Sequence, residues 1–112
     1  MIPKKYRATR IDIEETAKNG FVYDRPCLYA KVSKKDMEKA CFAIVISKKV
    51  EKLSVGRHLI KRRISNVIEK NLSKIKPEFK KAVIFFAKKQ EKTPKFSKIK
   101  EDVEAVLLSI IK

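Results

Sequence analysis

Cysteine and histidine are scarce: the 112 residues hold only Cys27, Cys41 and His58. The cysteines have 13 residues between them, which gives no close pair and no Cys/His quartet, so a zinc site is excluded. Both fall in apolar, strand-like segments and read as reduced thiols in a core rather than as a disulfide. Long apolar runs are also missing. The longest, Ala40 to Ile46, is far short of the ~20 residues a helix needs to cross a bilayer. The start, Met1-Ile2-Pro3-Lys4-Lys5, lacks the apolar stretch of a secretory signal, so the expected location is cytoplasmic. No segment joins a wide apolar face to an all-basic opposite face, and that argues against a membrane surface as partner. There is no internal repeat or low-complexity tract.

Acidic residues are in short supply as well. Lys and Arg total 29 against 13 Asp and Glu, a net charge of +16. Hydrophobic residues make up 44%, enough for a packed core and too many for a disordered tail. A compact domain with this excess of one sign suffers self-repulsion, and an extended polyanion relieves it. The length fits one domain, and the charge makes residues 1–112 read as a single nucleic-acid-binding domain.

The pattern of residues predicts the order αβββαβα. Thr9-Arg10-Ile11-Asp12 has the form of a capping box opening a short helix, which Asn19-Gly20 closes. Phe21 to Asp24 is a short strand stopped at Arg25-Pro26. From Cys27 to Ser33 the chain alternates, with Leu28, Ala30 and Val32 on one face and Cys27, Tyr29 and Lys31 on the other. Ala40 to Ser47 is a nearly continuous apolar strand with Phe42, Ile44 and Ile46 sharing a face. A helix follows from about Ser54 to Asn71, then an apolar strand from Ala82 to Ala87. Last comes an amphipathic helix from Ser97 to Ile111, with Ile99, Val103, Val106, Leu107 and Ile110 at helical spacing. Helices packed on a central sheet, an α+β (α/β) sandwich, satisfy this order.

The stretch from Ser47 to Arg63 carries seven cations against one anion. On a helix, Ile60, Ile64 and Val67 fall in one narrow sector that must face a core, while Arg57, His58, Lys61 and Arg62 fill an adjacent arc of roughly 140°. Almost no acid is interspersed before Glu69, so pairs within the helix cannot neutralise that arc. Cations about one turn apart on a rigid helix can meet successive phosphates while losing little side-chain freedom.

These residues resemble the bacterial ribonuclease P protein family, whose members show an apolar strand, Ser-Lys-Lys-Val, a short linker and Arg-Asn-x-x-Lys-Arg on a long helix. Here Phe42 to Ile46 leads into Ser47-Lys48-Lys49-Val50 and then Arg57-His58-Leu59-Ile60-Lys61-Arg62. Lys4-Lys5-Tyr6-Arg7, Gly20 and Pro26 are similar to the family's start, and the likeness in length and element order spans the whole chain. The resemblance implies a four-stranded sheet with three helices, like the second domain of a ribosomal small-subunit protein. It also implies a left-handed βαβ crossover around the basic helix, against the hand that ~98% of such connections adopt. It implies binding to ribonuclease P RNA through Lys48, Lys49, Arg57, His58, Lys61, Arg62 and Arg63, one protein per RNA. A cleft holding the 5′ leader of precursor tRNA maps onto Arg10, Ile13, Ala17, Tyr29 and Lys31. Catalysis is implied to belong to the RNA and its bound Mg²⁺. The sequence departs from the family in three places: His58 replaces the motif Asn, Ile13 and Ala17 stand where many members carry cleft aromatics, and Lys31 replaces a frequent sheet aromatic. Gripping of the leader is therefore expected to depend more on charge, with Tyr29 as the remaining aromatic on that face.

Two other readings compete. A metal-dependent nuclease acting alone needs several carboxylates converging on one point. Asp12, Glu14 and Glu15 are explained as favourable charges at a helix start, and Glu101, Asp102 and Glu104 as acidic surface on the last helix. The other reading is a general RNA-binding or ribosome-associated protein with no processing role, which composition allows and only the motif and element order oppose.

Overall fold

Thr9 opens the first helix by reciprocal hydrogen bonds. Its hydroxyl accepts from the Asp12 backbone N–H at 3.2 Å, and the Asp12 carboxylate accepts from the Thr9 N–H at 3.1 Å. The computed structural model describes residues 6–34, 40–47, 54–75, 79–88 and 96–111, so Lys48 and Lys49 lie outside the described residues. The elements are α1 (Arg10–Asn19), β1 (Phe21–Asp24), β2 (Leu28–Val32), β3 (Cys41–Val45), α2 (Ser54–Asn71), β4 (Ala82–Ala87) and α3 (Phe96–Ile111). This is the αβββαβα order of an α+β fold.

Gly20 ends α1 differently from the left-handed glycine cap common at helix ends. Its N–H donates to the Thr16 carbonyl at 2.7 Å, but its φ is −75° and its ψ 158°, an extended conformation open to any residue. Glycine is required there by space. A Cβ would stand 2.5 Å from the Thr16 carbonyl oxygen and 2.9 Å from that of Val32, both backbone atoms. The chain can thus fold from α1 straight into β1 beside the end of β2.

The sheet has the order β1-β2-β4-β3. β1, β2 and β4 pair antiparallel, whereas β3 pairs parallel with β4 across the α2 crossover. Side chains alternate as the sequence predicts. Leu28, Ala30 and Val32, Phe42 and Ile44, and Val83 and Phe85 face one way and are buried beneath α2 and α3. From the helices come Ile60, Ile64, Val67 and Ile68, and Ile99, Val103, Val106 and Leu107. Burying each large apolar side chain contributes about 1.5–3 kcal/mol relative to exposure, and this layer holds most of the fold's stability.

One polar group interrupts the layer. Asp102 was expected on an acidic surface, yet it is 2% exposed. Three residues after Ile99 and four before Val106, it belongs to the inward stripe of α3. Its carboxylate accepts the Cys27 backbone N–H at 2.8 Å and the Arg25 Nε–H at 3.4 Å. The acid thereby pins the β1–β2 turn onto α3. Cys41 is a buried thiol, as expected, but Cys27 sits half-buried in that turn, outside the core. Burial, then the hydrogen bond to Asp102 and the charge of Asp102, push the Cys27 thiol upward in pKa.

Candidate nucleic-acid interface

The opposite face of the sheet carries Tyr29 and Lys31 from β2, Ile84 and Phe86 from β4, and Ala43 and Val45 from β3. Among the described residues, the helix over this face is α1, of which Thr16 alone is buried. The cover is partial. Ile84 beneath it is sealed, while Tyr29, Phe86 and Val45 stay half-exposed.

Tyr29 and Phe86 are cross-strand partners, and their rings stack with centroids 5.0 Å apart and planes 8° apart. The Lys31 ammonium lies 5.7 Å from the centre of the Phe86 ring and donates to the Ala17 carbonyl at 2.6 Å. That carbonyl belongs to the last turn of α1, where backbone oxygens lack helical partners and attract cations. Lys31 therefore ties α1 to the sheet as well as placing positive charge beside the aromatic pair. Phe86 is the residue the sequence reading missed. Its strand reads as apolar throughout, and only the register with Tyr29 shows that it belongs to the half-covered face.

A second feature runs along the outer edge of β3. Arg7 pairs with Phe42 in an isolated parallel bridge, and the Ala8 N–H donates to the Phe42 carbonyl at 3.0 Å. Beyond this point the strand edge opens into a groove of about 390 Å³ between α1 and α2. Ile13, Ala43 and Ile44 supply apolar lining, while His58, Lys61 and Arg62 supply the polar side. These three side chains are exposed, and Arg57 and Arg63 are half-buried. The basic arc of α2 is thus a rim, with the Ile60/Ile64/Val67 stripe packed into the core behind it.

The residues expected to hold the leader fall in three settings along α1. Ala17, Tyr29 and Lys31 gather at the sheet. Ile13 lies in the edge groove with the α2 cations. Arg10 pairs with Glu14 at 3.3 Å through a side chain 91% exposed, a contact worth little in stability. Among the described residues, no three His, Cys, Asp or Glu side chains gather as metal ligands, and no helix is long and apolar enough to cross a membrane.

A strongly basic sandwich with one closed sheet face, one partly open face and a cationic helix beside a groove defines a nucleic-acid-binding class of protein. Within that class the assignment is specific: the Ribonuclease P family model matches residues 2–111, and the chain belongs to the ribonuclease P protein family. The fold is also that of solved ribonuclease P proteins. A Staphylococcus aureus RNase P protein mutant described as defective in mRNA degradation activity superposes with a TM-score of 0.80 at 24% identity, over 95% of this chain and 88% of that one. Another S. aureus RNase P protein structure gives a TM-score of 0.77 at 23% identity, over 96% and 98%. The Thermotoga maritima RNase P protein gives 0.71 at 20%, over 95% and 94%. No curated protein sequence matches the chain.

Proposed function

We propose that this chain is the protein subunit of a ribonuclease P, binding the catalytic RNA and the 5′ leader of precursor tRNA while the RNA cuts the phosphodiester bond. The observation that carries the proposal is the placement of His58, Lys61 and Arg62 as an exposed rim on a helix anchored in the core, in a chain of the ribonuclease P family. In this reading the α2 cations, with Lys48 and Lys49, hold phosphates of the catalytic RNA. The Tyr29–Phe86 stack, with Lys31 beside it, receives the leader, whose unpaired bases can stack on aromatic rings. Mg²⁺ is held mainly by the RNA. The described part of the chain offers no carboxylate cage for it. The protein contributes charge that offsets phosphate repulsion and so lowers the ion concentration the RNA needs.

The test is to add purified protein to a ribonuclease P RNA and titrate Mg²⁺ against cleavage of precursor tRNA. The expected result is cleavage at lower Mg²⁺, with no cleavage by protein rigorously freed of RNA. Unchanged Mg²⁺ demand would favour a general RNA-binding role. Cutting of RNA by the protein alone would overturn the division of labour, and the mRNA degradation activity associated with the S. aureus protein makes an mRNA the second substrate to include.

A further inference from the structure

The outward side of α2 carries more than charge. Val55 is 79% exposed and Leu59 is 40% exposed, four residues apart on the same face of the helix. Other exposed apolar side chains, such as Ile11 on α1 and Leu108 on α3, stand singly on their helices. Val55 and Leu59 instead line one shallow depression with Ser54, His58 and Arg62. The depression measures about 430 Å³ and is separate from the groove along β3, although His58 and Arg62 border both. Its position at the start of α2 adds the partial positive charge of a helix N-terminus, and the first turn contains no acid to cancel it.

Phosphate binding alone does not use this arrangement. Val55 and Leu59 cannot engage phosphates, and each takes a place where a further cation would strengthen purely ionic binding. Apolar surface between cationic groups is complementary to a nucleotide, which has an apolar base face beside an anionic phosphate. His58 and Arg62 fit both parts, because an imidazole ring and a guanidinium plane stack on bases and donate to phosphate oxygens. An acidic peptide would match the charge but leave the aliphatic floor unused.

We propose that Val55 and Leu59 form the floor of a docking site for a single unstacked nucleotide of the RNA partner, with His58 and Arg62 engaging its base edge and phosphate. The site rests on the RNA-binding reading given above and adds to it a contact with a base rather than with backbone phosphate. The occupant is a nucleotide in a bulge, loop or strand end, since a base stacked in a duplex does not present its face.

Salt dependence separates the two kinds of contact. A lost phosphate contact lowers the slope of log affinity against log salt by about one, whereas a lost apolar contact lowers affinity at every salt concentration and leaves the slope unchanged. The experiment measures binding of ribonuclease P RNA by wild type, Val55→Ala/Leu59→Ala, Leu59→Phe and Arg62→Ala across a salt series. Alanine is the best helix former, and both replaced residues are exposed, so α2 is retained. The expected result is an affinity loss of about tenfold with unchanged slope for the double alanine variant. Leu59→Phe retains or raises affinity, because an aromatic ring offers the base a better surface. Arg62→Ala reduces the slope. Wild-type affinity and slope for the double alanine variant would remove the site from the RNA interface. A change in the protein's sedimentation, with RNA affinity unaltered, would reassign the floor to contact between copies of the chain and overturn the proposal. Failure of wild-type protein to bind ribonuclease P RNA would instead overturn the functional reading itself, which this comparison keeps distinct.

Discussion

The two faces of the sheet are built from the same strands by simple alternation, yet they have opposite fates. On one, Leu28, Ala30, Val32, Val83 and Phe85 are sealed by two long helices. On the other, one ten-residue helix covers only part of the surface and leaves Tyr29 and Phe86 half-exposed. Alternation explains how one chain supplies both a core and a platform. What distinguishes the faces is the amphipathic character of the covering helix: α3 presents Ile99, Val103, Val106 and Leu107, whereas α1 presents Ile13, Thr16 and Ala17. Little apolar area on α1 means weak closure. An incompletely covered sheet face is then available to a ligand without unfolding anything.

The sharpest way to break this comparison is to truncate neighbouring residues of β4. Phe85→Ala should lower unfolding free energy by about 3–5 kcal/mol, the range for emptying a buried aromatic site. Phe86→Ala, one position along on the half-covered face, should cost about 1–2 kcal/mol because part of the ring is already in water. Urea denaturation monitored by circular dichroism measures both. Equal losses would mean that the second face is as closed as the first.

The next comparison is across α2. Lys61→Ala and Arg62→Ala should each weaken assembly with ribonuclease P RNA by about 1–3 kcal/mol, as expected for a charge-assisted contact. Stability should change by no more than ~0.5 kcal/mol, since both side chains are exposed. Ile64→Ala, on the inner side, should destabilise by about 2–5 kcal/mol. RNA titration and chemical denaturation of the same three proteins separate rim from stripe.

Tyr29 and Lys31 lie on one face, but the structure gives them different work. Tyr29→Ala should reduce the preference for precursor over mature tRNA by about 1 kcal/mol, the lower end for a stacked base, and leave RNA assembly unchanged. Lys31→Met should also release the Ala17 carbonyl, so amide exchange should accelerate at the C-terminal turn of α1. Wild-type exchange in Lys31→Met would show that the lysine is not what fastens α1.

Most of the fold was legible because its signals are local. The Thr9 capping box, the alternation of Leu28 to Val32, the α2 stripe and the apolar spacing of α3 each depend on residues within a turn or two. The edge groove was not legible, since it needs the parallel β3–β4 pairing and the Arg7–Phe42 bridge, which bring distant segments together. Lys31 was legible as a face residue but not as a partner of Ala17, 14 positions earlier. Asp102 shows a signal that was present and outweighed: its spacing from Ile99 and Val106 placed it inward, while its charge and acidic neighbours argued for surface. The partner that reconciles burial with charge, the Arg25–Cys27 turn, is 75 and more positions away.

That latch leads to the smallest effect expected, at the margin of the closed face. Cys27 is raised in pKa by burial first, and then by the hydrogen bond and charge of Asp102. A group whose folded pKa lies above its unfolded value contributes stability that is fully present below the unfolded pKa, about 8.5 for a thiol, and is lost as pH rises through the folded value. The native state should therefore lose stability on the alkaline side, and Cys27→Ala should show a shallower decline there and none of the difference at neutral pH. The same shift leaves Cys27 with a smaller thiolate fraction than a free thiol at the same alkaline pH, so alkylation by iodoacetamide should be slow compared with a free thiol. Asp102→Asn removes the charge but not the burial, and it should move the midpoint of the alkylation rate against pH downward. Mass spectrometry of digested protein resolves Cys27 from the buried Cys41, which serves as the internal reference. A faster rate with an unmoved midpoint would mean that Asp102 shields the thiol only by holding the turn closed, and its charge would then have no part in the protection.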